Sequence, residues 1–464
     1  MVGFAACVAS YIVLAASVAR GATSPPPART GAAGFPSRLR FSADASAAQG
    51  PSEPVIPPAG VRRASTPGAA VGTLPPPPLP SARPPVATAS PLPVRAAALR
   101  DRRAYLKNFW YAAALSSDVE AGGGPRLVEM LDLRLVLWRD ASTGEVQALP
   151  DACPHRGAPL SKGWLATRGG DACPPASCVV CPYHGWAIDG SGRLRDVPAN
   201  AEGESLPTRP VLQPASITER GGFIWLFYGD ADTPAERRPP LPLIPELEDP
   251  EWEAVYGEFS FDAPHTGVFE NAIDFAHIHY LHNGSFGNAD APAVRGMRAE
   301  SDAWGVRASL TIQNKPVSWL WEWSRVPEVE VHAQALLPST SVVAFELAFG
   351  ISMITFVNTV PIDATRSVNR FALIRNFGRS RGAWPRPLQR AVDAFARRAM
   401  VRILSEDRAM VETLRPEAVA REVNVRADAA QTEFRRLRQA YIAAGHGVQP
   451  RGAPPLCDAD DVCF

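Results

Sequence analysis

From about Ala98 onward, apolar and polar residues alternate in short runs of strand length. RLVEML at 126–131, LRLVLWRD at 133–140 and EVQALPD at 145–151 each predict a β-strand, and the turn ASTG joins the last two. GGFIWLFYGD at 221–230 predicts the closing strand of the same small all-β unit. A proline-rich connector, TPAERRPPLPLIPELEDP, follows and separates a second unit. There WLWEWSRV, EVEVHAQALL, SVVAFELAF, SMITFVNTV and RFALIRNF are β-branched and aromatic runs that predict an antiparallel sheet. Residues 341–362 are apolar enough to suggest a membrane span, but Glu346, Gly350 and Asn358 interrupt them, so two buried strands are expected. Helices are expected to flank the sheet at 266–282 and at 386–415, where apolar residues follow three- and four-residue steps, and AAQTEFRRLRQAYIAAG predicts a polar C-terminal helix. The fold class is α+β, an all-β domain at 98–230 followed by a sheet domain with flanking helices at 231–445 and a tail at 446–464. No internal repeat is present.

Composition changes the picture at the N-terminus. Residues 1–20, MVGFAACVASYIVLAASVAR, are apolar and end in the triplet Ser17, Val18, Ala19, which suits a secretory signal cleaved after Ala19; a membrane anchor is the alternative. Residues 21–97 are rich in Ala, Ser, Pro and Arg with almost no acid, which suits a transit peptide and a disordered linker that cannot form a core. Signal plus transit, with Phe35 at the front of GFPSRLRF, resembles the bipartite leader of proteins sent to complex plastids, so a plastid (chloroplast) location is expected. Lys plus Arg equals Asp plus Glu at 47 each, which leaves no global field to attract nucleic acid.

The chemistry begins with two loops, CPHRGAPL from Cys153 and CPYHGWAI from Cys181. Each offers one thiolate and one imidazole, Cys153 with His155 and Cys181 with His184. A zinc site is one reading, but zinc fingers draw like ligands from one turn. A Rieske [2Fe-2S] cluster needs the mixture, because two Cys hold one iron and two His the other. Pro154, Gly157, Pro159, Pro182 and Gly185 would let backbone N–H groups approach the sulfurs. Residues 156–180 separate the loops and carry Cys173 and Cys178, read either as an exposed insertion or as a redox-regulated thiol pair.

A second set lies in ENAIDFAHIHYLH at 270–282, which holds Asp274, His277 and His282. On an ideal helix a five-residue step leaves the two rings about 140° apart, so the helix must end or distort if both bind one ion. In the helix at 386–415, Leu388, Val392, Phe395, Ala399, Ile403, Asp407, Val411 and Leu414 follow one face. Asp407 therefore falls in an apolar stripe and needs a partner, whereas Glu406 points about 100° away and reads as solvated. Two His and one carboxylate form a facial triad that leaves positions on Fe(II) open.

A domain with paired Cys/His loops, followed by D-x2-H-x4-H and a late helix with Asp, resembles the Rieske-type non-haem iron oxygenases over about residues 105–445. ENAIDFAHIHYLHNGSFGN, ALIRNF at 372–377 and ILSEDRAMVETLRPE are most similar to its pheophorbide a oxygenase and chlorophyllide a oxygenase group, whose members sit in plastids. The resemblance implies a Rieske domain followed by a helix-grip catalytic domain. It implies Cys153, His155, Cys181 and His184 as ligands of a [2Fe-2S] cluster, and His277, His282 and Asp407 as ligands of a mononuclear Fe(II). For Asp274 it implies a bridge between His277 and His184 of the partner subunit, hence a head-to-tail homotrimer. It further implies monooxygenase chemistry with O2, a ferredoxin-type electron donor and a small-molecule substrate, a tetrapyrrole that an apolar cavity lined by Trp and Phe would suit. Related sequences oxidise sterols or demethylate aromatic ethers, and one associated with a chloroplast translocon is regarded as a non-catalytic redox-responsive component. Two departures stand out. Plant members carry C-terminal membrane helices where this chain has a polar one, so no integral span is expected in the mature chain, and their C-terminal C-x2-C is here only Cys457 with Cys463.

Overall fold

The structure is a computed structural model that describes residues 100–166, 173–201, 204–313, 328–347, 351–377, 385–415 and 422–453. Residues 1–99 with Cys7, the run WLWEWSRV, and the pair Cys457 and Cys463 lie outside the described residues.

The first part of the fold is all β. After the short β1 (Tyr105–Leu106) come β2 (Phe109–Leu115), β3 (Arg126–Met130), β4 (Leu133–Arg139) and β5 (Val146–Pro150), the last three forming an antiparallel meander. The turn at Ala141–Gly144 closes β4 onto β5 because Asp140 accepts from Ser142 N–H and Gly144 takes a positive φ. Next, β6 (Trp164–Leu165), β7 (Cys178–Val180), β8 (Ala187–Asp189) and β9 (Leu194–Asp196) form a four-stranded sheet. Finally β10 (Ile217–Arg220) and β11 (Phe223–Tyr228) pair in the order β10-β11-β2. Val136, Trp138, Leu149, Leu160, Val179 and Ile188 fill the core between the first two sheets, and both Cys153 and Cys181 are embedded in it. Burying these side chains contributes roughly 1.5–3 kcal/mol each for the larger ones, and this packing makes the two loops rigid.

The second part is a seven-stranded antiparallel sheet. Its strands are β12 (Glu253–Phe261), β13 (Arg295–Ser301), β14 (Gly305–Gln313), β15 (Glu328–Leu336), β16 (Thr340–Leu347), β17 (Ile351–Pro361) and β18 (Ser367–Arg375), in the order β12-β18-β17-β16-β15-β14-β13. Along β14 and β15, Val306, Leu310, Ile312, Val329 and Val331 point inward and Arg307, Glu328 and Glu330 outward, the period of two expected of a sheet with one covered face. β18, between the edge strand β12 and β17, is buried at nearly every position, polar Ser367, Asn369, Arg370 and Arg375 included. As expected, 341–362 forms paired strands, β16 and β17, and among the described residues no helix is long and apolar enough to cross a membrane. A C-terminal strand, β19 (Gly447–Val448), returns to pair with β1.

Among the described residues, four α-helices accompany this sheet: α1 (His265–Ala272), α2 (Ile278–Leu281), α3 (Arg386–Val411) and α4 (Ala429–Tyr441). The expectation of one helix over 266–282 is corrected, because Asp274 Oδ1 accepts from the N–H groups of Ala276 and His277 and turns the chain between α1 and α2. The α3 stripe is also rotated from the expected one: Met400, Leu404, Asp407 and Val411 are buried, while Leu414 lies beyond the helix end and is exposed. Met400, Leu404 and Val411 pack with Val268 of α1 and with Val357 and Phe371 of the sheet. Phe434 of α4 meets Phe269 of α1 at 4.6 Å.

His265, at the start of α1, is buried against Tyr105, and burial together with the nearby Arg438 lowers its pKa to about 3. A depressed histidine pKa means the unfolded chain binds the extra proton first, so stability is present above about pH 6.5 and is lost as pH falls toward 3. Between pH 6.5 and 5 this one group is expected to cost about 2 kcal/mol. Thermal melts of His265→Gln across that interval should have a flatter pH dependence than those of the parent chain.

Candidate metal centres

The two Cys/His loops are built alike. In the first, the turn after β5, Cys153 N–H donates to Ala158 O at 2.8 Å and Gly157 N–H donates back to Cys153 O at 2.8 Å. In the second, between β7 and β8, Cys181 N–H donates to Trp186 O at 2.9 Å and Gly185 N–H donates to Cys181 O at 3.0 Å. Gly157 and Gly185 both sit at φ 74°, the left-handed region that glycine reaches without steric cost. Each loop thus needs Cys and Gly four residues apart, and this repeated backbone geometry turns the two cysteines inward.

Cys153 and Cys181 are free thiols, both buried, and His155 and His184 face each other with ring centroids 4.6 Å apart. Burial pushes the Cys153 thiol up, while the backbone N–H groups of His155 and Arg156 aimed at the sulfur, which favour thiolate, offset part of it. Nδ1 of His155 is buried without a hydrogen-bond partner. Two thiols that do not form a disulfide and an orphaned ring nitrogen are what a [2Fe-2S] group would use, and the four residues fit it. The indole of Trp186 lies flat on His155, with centroids 4.4 Å apart and planes 1° apart. His184 and Tyr183 face solvent, Tyr183 at 64% exposure, so the histidine end is the open end of the site.

The loops are braced from behind. Asp151 accepts from Ser161 N–H at 2.7 Å and from its hydroxyl at 2.9 Å, tying the start of the first loop to its end. A Cβ on Gly163 would lie 1.9 Å from the carbonyl oxygen of Val180, the residue before Cys181. Gly163→Ala is therefore expected to cost about 1–3 kcal/mol and to lower cluster content, read by melts alongside iron and sulfide analysis. Of the two readings of the insertion, the structure agrees with a thiol pair, and the two cysteines are buried rather than exposed. Cys173 and Cys178 form a disulfide, and both pack under Val180 and Ala187.

The second centre draws on two separate elements. His277 caps the start of α2 and His282 its end, so the single turn of α2 sits between the rings, whose centroids are 5.2 Å apart. The helix ends at His282, as a common ion requires. Asp407 comes from α3, with Oδ1 3.4 Å from His277 Nε2 and 3.2 Å from His282 Nε2. One donor atom from each of the three lies within 4.8 Å of the others. Asp407 Oδ1 is buried yet makes no hydrogen bond of good geometry with either ring, the arrangement of lone pairs converging on a common centre. Burial pushes the Asp407 carboxyl up, but the two imidazoles outweigh this and hold it well below the usual carboxylate range. Three neutral or anionic N/O donors in a largely buried setting fit a mononuclear Fe(II).

Glu406 is not solvated as expected. Its Oε2 lies 2.8 Å from His282 Nδ1 and accepts from Ser285 Oγ at 3.2 Å, and its Oε1 accepts from Arg402 Nε at 3.2 Å. The 100° offset holds for the helix, but His282 comes in from the side and meets Glu406 and Asp407 together. Trp186, Gly163 and Ser285 also escape sequence reasoning, since each acts through a neighbour that the chain brings back from elsewhere.

Comparison with known proteins matches residues 109–211 to the Rieske [2Fe-2S] domain and residues 261–444 to the vanillate O-demethylase oxygenase C-terminal domain. Over 217 residues the chain is 31% identical to the chloroplastic pheophorbide a oxygenase of Oryza sativa subsp. japonica, covering 45% of this chain and 39% of that protein. It is 32% identical over 190 residues to the chloroplastic chlorophyllide a oxygenase of Chlamydomonas reinhardtii, covering 39% and 25%. Against the 4beta-methylsterol monooxygenase of Methylococcus capsulatus it is 31% identical over 220 residues, covering 46% and 54%. The matches span between a quarter and just over half of these relatives. The fold is similar to that of dicamba monooxygenase bound to dicamba, with TM-score 0.59 and 23% identity over 73% of this chain and 99% of that one. With a Rieske domain followed in one chain by an oxygenase C-terminal domain, and with this fold, the protein belongs to the Rieske-type non-haem iron oxygenase group.

Proposed function

We propose that this chain is a plastid monooxygenase that takes electrons from a ferredoxin-type donor and uses O2 to oxidise a chlorophyll-derived tetrapyrrole. The observation that carries the reading is the convergence of His277, His282 and Asp407 within 4.8 Å on a chain that also carries the paired Cys/His loops. In this reading residues 98–230 form the electron-accepting domain and residues 231–445 the catalytic one. Cys153, His155, Cys181 and His184 hold the [2Fe-2S] cluster, and His277, His282 and Asp407 hold the iron. When bound, the cluster supplies one-electron storage and the iron supplies O2 activation.

The chain's own residues divide the remaining work. The buried cysteines anchor one end of the cluster in the core, and the solvent-facing His184 offers the other end to a partner. Asp274 holds the amides of Ala276 and His277, which orients His277 at the start of α2. Its carboxylate would also carry the link from His277 to His184 of the partner subunit in a homotrimer. Support for a tetrapyrrole substrate and for the plastid comes from the chloroplastic pheophorbide a and chlorophyllide a oxygenases among the relatives and from the composition of residues 1–97.

The test is anaerobic reduction with ferredoxin, then addition of 18O2 and chlorophyllide a or pheophorbide a, with mass spectrometry of the pigment. Incorporation of one labelled oxygen is expected. Reoxidation of the cluster with no product from any tetrapyrrole contradicts the substrate. A second reading, oxidation of a sterol or an aromatic ether, is favoured by the comparable identity to the 4beta-methylsterol monooxygenase, and labelled product from such a compound would select it.

A further inference from the structure

We infer that Glu406 is a positioning residue for the mononuclear site, fixing the tautomer and the ring plane of His282; the inference rests on the iron-site reading above. Consecutive residues of α3 reach the two nitrogens of one imidazole. Glu406 Oε2 lies 2.8 Å from Nδ1, and Asp407 Oδ1 lies 3.2 Å from Nε2. An ionised carboxylate can only accept, so the proton of a neutral His282 resides on Nδ1 and the Nε2 lone pair is left facing the site. The carboxylate is itself held in place. Ser285 Oγ donates to the same oxygen at 3.2 Å, and Arg402, one turn earlier on α3, donates to the other oxygen. Phe286 stacks on the His282 ring with centroids 5.0 Å apart, which restricts rotation about the remaining bond.

His277 has no such support among the described residues, where its buried Nδ1 finds no hydrogen-bond partner. The two imidazoles are therefore unlike ligands, one oriented and made more basic by a carboxylate and one oriented through the backbone turn at Asp274. Glu406 is not one of the three converging donors and reaches the site through His282, so its removal should act on the metal before it acts on chemistry. A carboxylate–histidine–metal pairing of this kind usually changes affinity or activity by about 10- to 100-fold when broken.

The experiment compares the full chain, Glu406→Ala and Glu406→Gln, each with its cluster intact, by the rate at which a ferrous chelator removes the mononuclear iron. Glu406→Ala is expected to lose this iron about 10- to 100-fold faster, with an unchanged cluster spectrum. Glu406→Gln, whose amide carbonyl still accepts from Nδ1–H, should recover most of the difference, which a merely structural role would not produce. If the parent chain holds no mononuclear iron, the site reading and this inference fall together. If the parent holds iron and the alanine variant releases it at the same rate, only the role of Glu406 is overturned. Should the alanine variant misfold, the glutamine variant still decides when paired with Glu406→Lys at the same position, where fast release by lysine alone is the expected pattern and equal release by both contradicts it.

Discussion

Asp407→Ala is expected to remove the mononuclear iron and abolish substrate oxidation while leaving the [2Fe-2S] cluster in place. Asp407 is the one carboxylate among the three converging donors, and without it two neutral imidazoles would have to hold a dication in a largely buried setting. The variant keeps Glu406 on His282 Nδ1, so that ring remains oriented and the effect belongs to the missing ligand. Among the described residues, the core that holds Cys153 and Cys181 shares no residue with the one that packs α3, so the cluster should assemble normally. Iron per chain should fall from about three to about two, with the reduced-cluster spectrum unchanged and no oxidised product. Retention of the third iron in Asp407→Ala would show that another residue supplies the carboxylate.

The second large effect concerns Asp274, for which a backbone role is observed and an inter-subunit role is proposed. Its Oδ1 accepts from the N–H groups of Ala276 and His277, and asparagine offers an oxygen of the same reach, so Asp274→Asn should preserve the turn into α2 and the position of His277. What asparagine lacks is the charge that a bridge to His184 of the partner subunit would use. Both metal centres should therefore load normally in Asp274→Asn, while oxidation of the reduced cluster by O2 and substrate slows by about 10- to 100-fold or more. Asp274→Ala removes the turn as well and should lose iron. Full activity of Asp274→Asn would reduce Asp274 to a backbone cap.

Strand positions were legible because alternation reports one covered face directly, as in Val329 and Val331 against Glu328 and Glu330. The candidate metal ligands were legible for a different reason. Cys/His loops and a D-x2-H-x4-H run are short local patterns, and their chemistry needs those side chains whatever surrounds them. What the chain hid depends on approach from elsewhere. Helical periodicity placed Glu406 on the solvent side of α3, and it could not foresee that His282 would arrive there with Ser285. A single helix was expected over 266–282, yet the hydrogen bonds of Asp274 Oδ1 to the N–H groups of Ala276 and His277 prevail and divide it into α1 and α2. The disulfide between Cys173 and Cys178 closes under β7, where Cα atoms come within 6.0 Å, a proximity that spacing alone does not fix.

Low-temperature EPR of the purified chain after one-electron reduction by dithionite tests the central claim most directly, when read beside its metal analysis. The expected result is the rhombic spectrum of a cluster with one cysteine-bound and one histidine-bound iron, plus a further iron that answers to nitric oxide and vanishes in Asp407→Ala. A silent spectrum from protein loaded with zinc would contradict it.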